Sequence, residues 1–202
     1  RNAKAKPQER QAAAKALGQL GHVDEATEVL MHLARDTTFP CSSRRKAAGI
    51  LEQLGCVDEA ADVLLELARD TSKPRGFRRV TAEKLGQLGR IGVATEALLA
   101  LARDVGTTPH ERQLIARGLQ RLGRSDMAAG ILLALAQDAE AEPQQRQVVA
   151  DVLGHLNRVH EATGVLLGLA RSMEIRPQVR RLAAEGLGRL GRLEEASEVL
   201  LA

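Results

Sequence analysis

An all-α solenoid of about six two-helix repeats is the fold class that this 202-residue sequence predicts. Three observations predict it. A 34-residue period runs through the chain, all six prolines fall at one place in that period, and a Gly, or once an Asn, closes the stretch that each Pro opens.

The period comes first, because self-similarity of this length marks a repeat architecture. Leu17, Leu51, Leu85, Leu119, Leu153 and Leu187 stand 34 residues apart, and each opens an "LGQLG"-like pentad. Arg10, Arg44, Arg78, Arg112, Arg146 and Arg180 form a second column. Ala26, Ala60, Ala94, Ala128, Ala162 and Ala196 form a third, and Leu30, Leu64, Leu98, Leu132, Leu166 and Leu200 a fourth. Register holds from residue 10 to residue 202.

The prolines place the first helix of each repeat. Pro7, Pro40, Pro74, Pro109, Pro143 and Pro177 are spaced by 33 to 35 residues. Proline suits the first turn of a helix, where its missing N–H would have no partner anyway. In "PCSSRRKAAGILEQLG", the residues Arg44, Ala47, Ala48, Leu51 and Leu54 then follow the helical period up to Gly55. A second helix follows at once in "VDEAADVLLELARD", with Asp58 expected as its N-cap and Glu59 at the positive end of its dipole. Its apolar positions, from Ala60 to Ala68, make a stripe too broad for one contact. Such a helix packs between neighbours on both sides. Neither helix of a pair can bury its apolar face alone, so the pairs stack.

The residue just past a helix end commonly takes a positive φ. Gly21, Gly55, Gly89, Gly123 and Gly191 fill that slot, and Asn157 replaces them once. Asn is the non-glycine residue that tolerates the left-handed region best, because its short amide bonds locally. Asn157 is therefore expected at positive φ.

Composition sets the outer limits. Apolar residues make up 44% of the chain, yet Phe39 and Phe77 are its only aromatics, so Leu, Ala and Val must build the core. Basic and acidic residues number 29 and 26, which is neither a polybasic arm nor an acidic tail. No apolar run approaches the ~18 residues of a membrane span, and no signal peptide is evident. Cys41 and Cys56 are expected at opposite ends of one helix, ~22 Å apart at ~1.5 Å per residue, too far for a disulfide. Free thiols fit a reducing, cytoplasmic setting. Residues 1–202 are expected to form one array, and the start at Arg1 and the stop at "EVLLA" are read as those of a fragment of a larger protein.

Two families share this pattern. "LARDTTFPCSSRRKAAGILEQLG" and "LARSMEIRPQVRRLAAEGLGRLG" resemble HEAT-like repeats of the armadillo type. In those an Asp closes one helix, an Arg stands early in the next, and "AA…LG.LG" follows. Asp36, Asp70, Asp104 and Asp138 precede the Arg column by eight residues, and Ser172 breaks the series. The 34-residue period also resembles the tetratricopeptide repeat, whose aromatic positions are empty here. The HEAT-like resemblance implies a right-handed α–α superhelix and a protein-interaction role. It also implies a likeness to the C-terminal sensor regions of large bacterial signalling NTPases. In physical terms the Arg column is a ladder, each guanidinium bonding the Asp or the helix-end carbonyls beside it and tying pair to pair.

Chemistry finds few carriers. Phosphate-cradling Gly-rich loops, Cys-x-x-Cys and His-Glu-x-x-His are all missing from the sequence. Some HEAT-like enzymes bind iron through His-Glu pairs, and two occur here, His110-Glu111 and His160-Glu161. They fall at unlike places in the repeat, the second at an expected N-cap, so no metal cage is expected. Catalytic residues, cofactors and a small-molecule substrate are likewise not expected, and a HEAT-like lyase or hydroxylase is the reading kept for an enzyme.

The informative surface is one stripe of the Pro-led helices, which line the concave face in both families. It carries Arg45, Arg79, Arg90, Arg117, Arg121, Arg124, Arg158, Arg181, Arg189 and Arg192, together with Lys15. Glu83, Asp151 and Glu185 are its only acids, so the stripe holds +8 in a chain whose net charge is +3. Those ten arginines are the expected partner-binding residues. An acidic protein or peptide is the expected partner of a scaffold or sensor, with a nucleic-acid backbone as the alternative. Single-strand readers use aromatic stacking, which this chain lacks.

Overall fold

The structure, a computed structural model, describes residues 6–138 and 141–201. Among these residues it holds twelve α-helices and no strand. They are α1 (Pro7–Gln19), α2 (Val23–Arg35), α3 (Cys41–Gln53), α4 (Val57–Arg69), α5 (Arg75–Gln87), α6 (Ile91–Arg103), α7 (Pro109–Arg121), α8 (Ser125–Gln137), α9 (Pro143–His155), α10 (Val159–Arg171), α11 (Pro177–Arg189) and α12 (Leu193–Leu201). The chain is thus all-α, in six two-helix repeats, as its period predicts.

It divides into two compact units, one ending at Leu101 and one beginning at Ala102. In the first, α1 to α5 pack in chain order, and α1 also meets α3 and α2 meets α4. In the second, α7 to α12 repeat that arrangement, with α9 on α11 and α10 on α12. The cores match the columns. Leu30 and Leu64 in the first unit are fully buried, as are Leu132 and Leu166 in the second. Each such side chain removed from water contributes about 1.5–3 kcal/mol. The invariant Ala of the second helices, Ala60 for example, is also fully buried, where only a small side chain fits between neighbours.

The prolines do their work in two ways. Pro7, Pro109, Pro143 and Pro177 are the first helical residues of their helices. Pro40 and Pro74 stand one residue earlier, as extended N-caps of α3 and α5. At the other end the left-handed residue is where the sequence places it. Asn157 has φ 59°, the one described non-glycine residue with positive φ, and the five glycines of its column lie between 73° and 89°. The amide of Arg158 then donates to Leu153 O at 2.9 Å and that of Asn157 to Gly154 O at 3.0 Å. These are the paired hydrogen bonds of the Schellman closure.

The starts of the second helices correct two expectations. Cys56 is the N-cap of α4 and Arg158 that of α10, so Asp58 and His160 stand inside the helix, at its second residue. One left-handed residue and one bent one are enough to turn the chain, which leaves no room for a longer linker. Asp58 lies in the first turn of α4, and its carboxylate pairs with Arg90.

The arginine ladder is present, and carbonyls are its main acceptors. Arg78 Nε donates to Ala68 O at 3.0 Å, and Arg180 Nε donates to Ala170 O at 3.1 Å. Arg44 Nε bonds Ala34 O in the same way. Arg146 reaches Asp138 O at 3.0 Å. Each acceptor lies near the end of the preceding helix, where carbonyls lack intrahelical donors. The aspartates instead close their own loops. Asp36 accepts the Thr38 amide at 3.0 Å, and Asp70 accepts the Ser72 amide at 3.0 Å and its hydroxyl at 2.6 Å. The side-chain hydrogen bonds from Thr38 and Ser72 are the first cause that holds these two carboxyls below the usual carboxylate range.

Candidate functional site

The ten arginines of the stripe divide by what they touch. Arg45 is half-buried and lies over the Phe77 ring, 5.1 Å from its centroid. Arg79 pairs with Glu83 one turn on, both side chains 17% exposed. Arg90 pairs with Asp58. In the second unit Arg158 Nη1 lies 3.0 Å from Asp126, and its Nε donates to Glu161 at 2.8 Å. Arg181 lies 3.5 Å from Glu185 and Arg189 lies 3.2 Å from Asp151. Arg192 pairs with Glu195. Arg121 is exposed. Arg117 and Arg124 are exposed too, and neither side chain forms an ion pair or hydrogen bond within the described residues.

Acids outside the stripe therefore offset much of the +8 that the spacing concentrates there. Asp58, Asp126, Glu161 and Glu195 belong to the starts of the second helices and turn back to meet the arginines. A second spacing reveals the contacts between repeats. Arg90 and Asp58 are 32 residues apart, as are Arg158 and Asp126. The turn of the next repeat comes back beside the second helix of the one before it. Where the column 32 residues earlier lacks an acid, the pairing changes. That residue is Gly92 for Arg124 and His160 for Arg192, and Arg192 turns to Glu195 in the helix that follows it. Glu161 is held below the usual carboxylate range by backbone hydrogen bonding first, and by Arg158 after it.

The glutamates of both His-Glu pairs have other partners: Glu161 meets Arg158, and Glu111 Thr108. Glu111 closes the capping box of α7: its carboxylate accepts the Thr108 amide at 2.8 Å, and its own amide donates to Thr108 Oγ1 at 3.2 Å. His110 and His160 are exposed. Among the described residues no three His, Cys, Asp or Glu side chains come together as a metal site would require. Cys41 and Cys56 are free thiols, and Cys56 Sγ lies 3.1 Å from Thr27 Oγ1. No helix among the described residues is long and apolar enough to cross a membrane.

Comparison with known proteins adds the family. The family model for HEAT repeats matches residues 2–86. No curated protein matches the chain. Among solved structures, the Assembly Chaperone of RpL4 (Acl4), residues 1–338, is similar over 96% of this chain and 88% of its own, at 20% identity and a TM-score of 0.34. Residues 2–86 are thus similar to HEAT-repeat sequence, and the tandem helix pairs of both units are consistent with HEAT-like repeats.

Proposed function

We propose that this chain is a non-enzymatic interaction scaffold that binds an acidic protein or peptide segment on the stripe of its Pro-led helices. One observation carries the reading: seven of the ten stripe arginines are exposed. Exposed ion pairs are worth only about 0.2–1 kcal/mol, so an incoming carboxylate can replace an intramolecular one at little cost. HEAT repeats over residues 2–86 support a scaffold role, because a solenoid presents side chains at a regular pitch along an extended surface. The arginine is well chosen for the task, since its planar fork takes a carboxylate in two parallel hydrogen bonds.

Fluorescence anisotropy tests the proposal with two labelled probes, an acidic peptide and a short DNA duplex, at low and at physiological salt. The peptide is expected to bind at both salt concentrations, more weakly at the higher. Binding of the duplex alone, falling steeply with salt, would replace this reading with a nucleic-acid backbone binder. Binding of neither would remove the stripe from consideration.

A further inference from the structure

We infer that the acidic segment is captured at the α7–α8 pair, by Arg117 in α7 and Arg124 at the N-cap of α8. The inference rests on the scaffold reading and adds the place.

Arg117 occupies the position that holds an acid in the other repeats on either side. The same column reads Glu83 in α5, Asp151 in α9 and Glu185 in α11. Glu83 and Glu185 each neutralise the arginine one turn before them, Arg79 and Arg181. In α7 the residue one turn before is Gln113, and the acid itself has become Arg117. The local sequence thus removes the neutralising carboxylate and adds a cation in the same step.

The carboxylates nearest in the repeat register are already taken. Asp126, two residues after Arg124, is held by Arg158 at 3.0 Å. Asp151, the counterpart of Arg117 in the next repeat, is held by Arg189 at 3.2 Å. Among the described residues, a partner's carboxylate displaces no ion pair at Arg117 or Arg124. At Arg158, Arg181, Arg189 and Arg192 it must displace one.

The test uses the whole chain and a fluorescein-labelled peptide of repeated Glu-Ser-Gly, read by anisotropy at physiological salt. Arg117→Ala with Arg124→Ala is expected to weaken binding about tenfold, from two lost ion pairs at the upper end of the exposed range. Arg117→Lys with Arg124→Lys keeps the charge and is expected to retain most of the affinity. Arg181→Ala with Arg192→Ala, which removes two arginines already paired, is expected to change it less than about twofold. Melting curves of all variants should overlay within a few degrees, because Arg117 and Arg124 make no side-chain bond in the described fold. Equal losses in the two alanine pairs, or unaltered binding in the first, would overturn the inference and leave the scaffold reading in place. Failure of the unmodified chain to bind the peptide would overturn both.

Discussion

At the scale of the residue, Asn157 shows how little freedom a tight helical turn allows. Its φ of 59° is a conformation in which a Cβ approaches backbone oxygen, and the other repeats avoid the contact by using glycine. Asn157→Ala is expected to cost roughly 1 kcal/mol, while Asn157→Gly should be neutral or stabilising. Thermal melts of the three proteins check this, and equal midpoints would remove the left-handed closure as a source of stability. Asp36 and Asp70 make a second case. Both carboxyls are held below their ordinary range by hydrogen bonds from Thr38 and Ser72 that the unfolded chain lacks. A depressed folded pKa means that the contribution is present above the unfolded value of about 3.9 and is lost as pH falls through the folded one. Asp36→Asn with Asp70→Asn should therefore lose less melting temperature than the unmodified chain between neutral pH and pH values below about 4.

At the scale of the element, most of the structure was legible in the sequence. The 34-residue columns, the prolines and the glycine slot give the order and number of the helices because each marks a backbone event with one physical solution. The helix starts were less legible. Asp58 carries the signature of an N-cap, yet Cys56 holds that position, because the turn after Gly55 is complete within two residues. Propensity favours the Asp, but connection length decides. The arginine column was legible as a ladder and less so in its chemistry, since the carbonyl at the preceding helix end is the nearer acceptor. Arg78 is buried and donates to Ala68 O at 3.0 Å. Arg78→Met should cost about 1–3 kcal/mol, because it leaves a helix-end carbonyl without its donor. Arg69→Met, at the exposed end of α4, should stay within about 0.5 kcal/mol. Urea denaturation of the two variants separates them, and equal midpoints would show that the ladder does not stabilise the stack.

At the scale of the whole molecule, the stripe was legible as a concentration of positive charge and illegible as a set of ion pairs. Counting along the Pro-led helices finds the arginines. Four of the acids that meet them, Asp58, Asp126, Glu161 and Glu195, lie on the second helices, and the 32-residue offset between Arg90 and Asp58, or Arg158 and Asp126, exposes two of those pairs. The offset differs from the repeat period by two residues because it joins the turn of one repeat to the second helix of the preceding one. Once the pairs are removed, the surface contracts from ten candidate arginines to Arg117 and Arg124 as the two with no ion pair or hydrogen bond of their side chains among the described residues. The same reasoning separates a solvated face from a binding face, since a guanidinium already holding a carboxylate offers a partner less. The most direct measurement is the anisotropy titration of the Glu-Ser-Gly peptide against the unmodified chain and its Arg117→Ala, Arg124→Ala variant. Binding that falls about tenfold in the variant, with the melting curve unchanged, is the predicted result. Binding of equal strength in both proteins would contradict it.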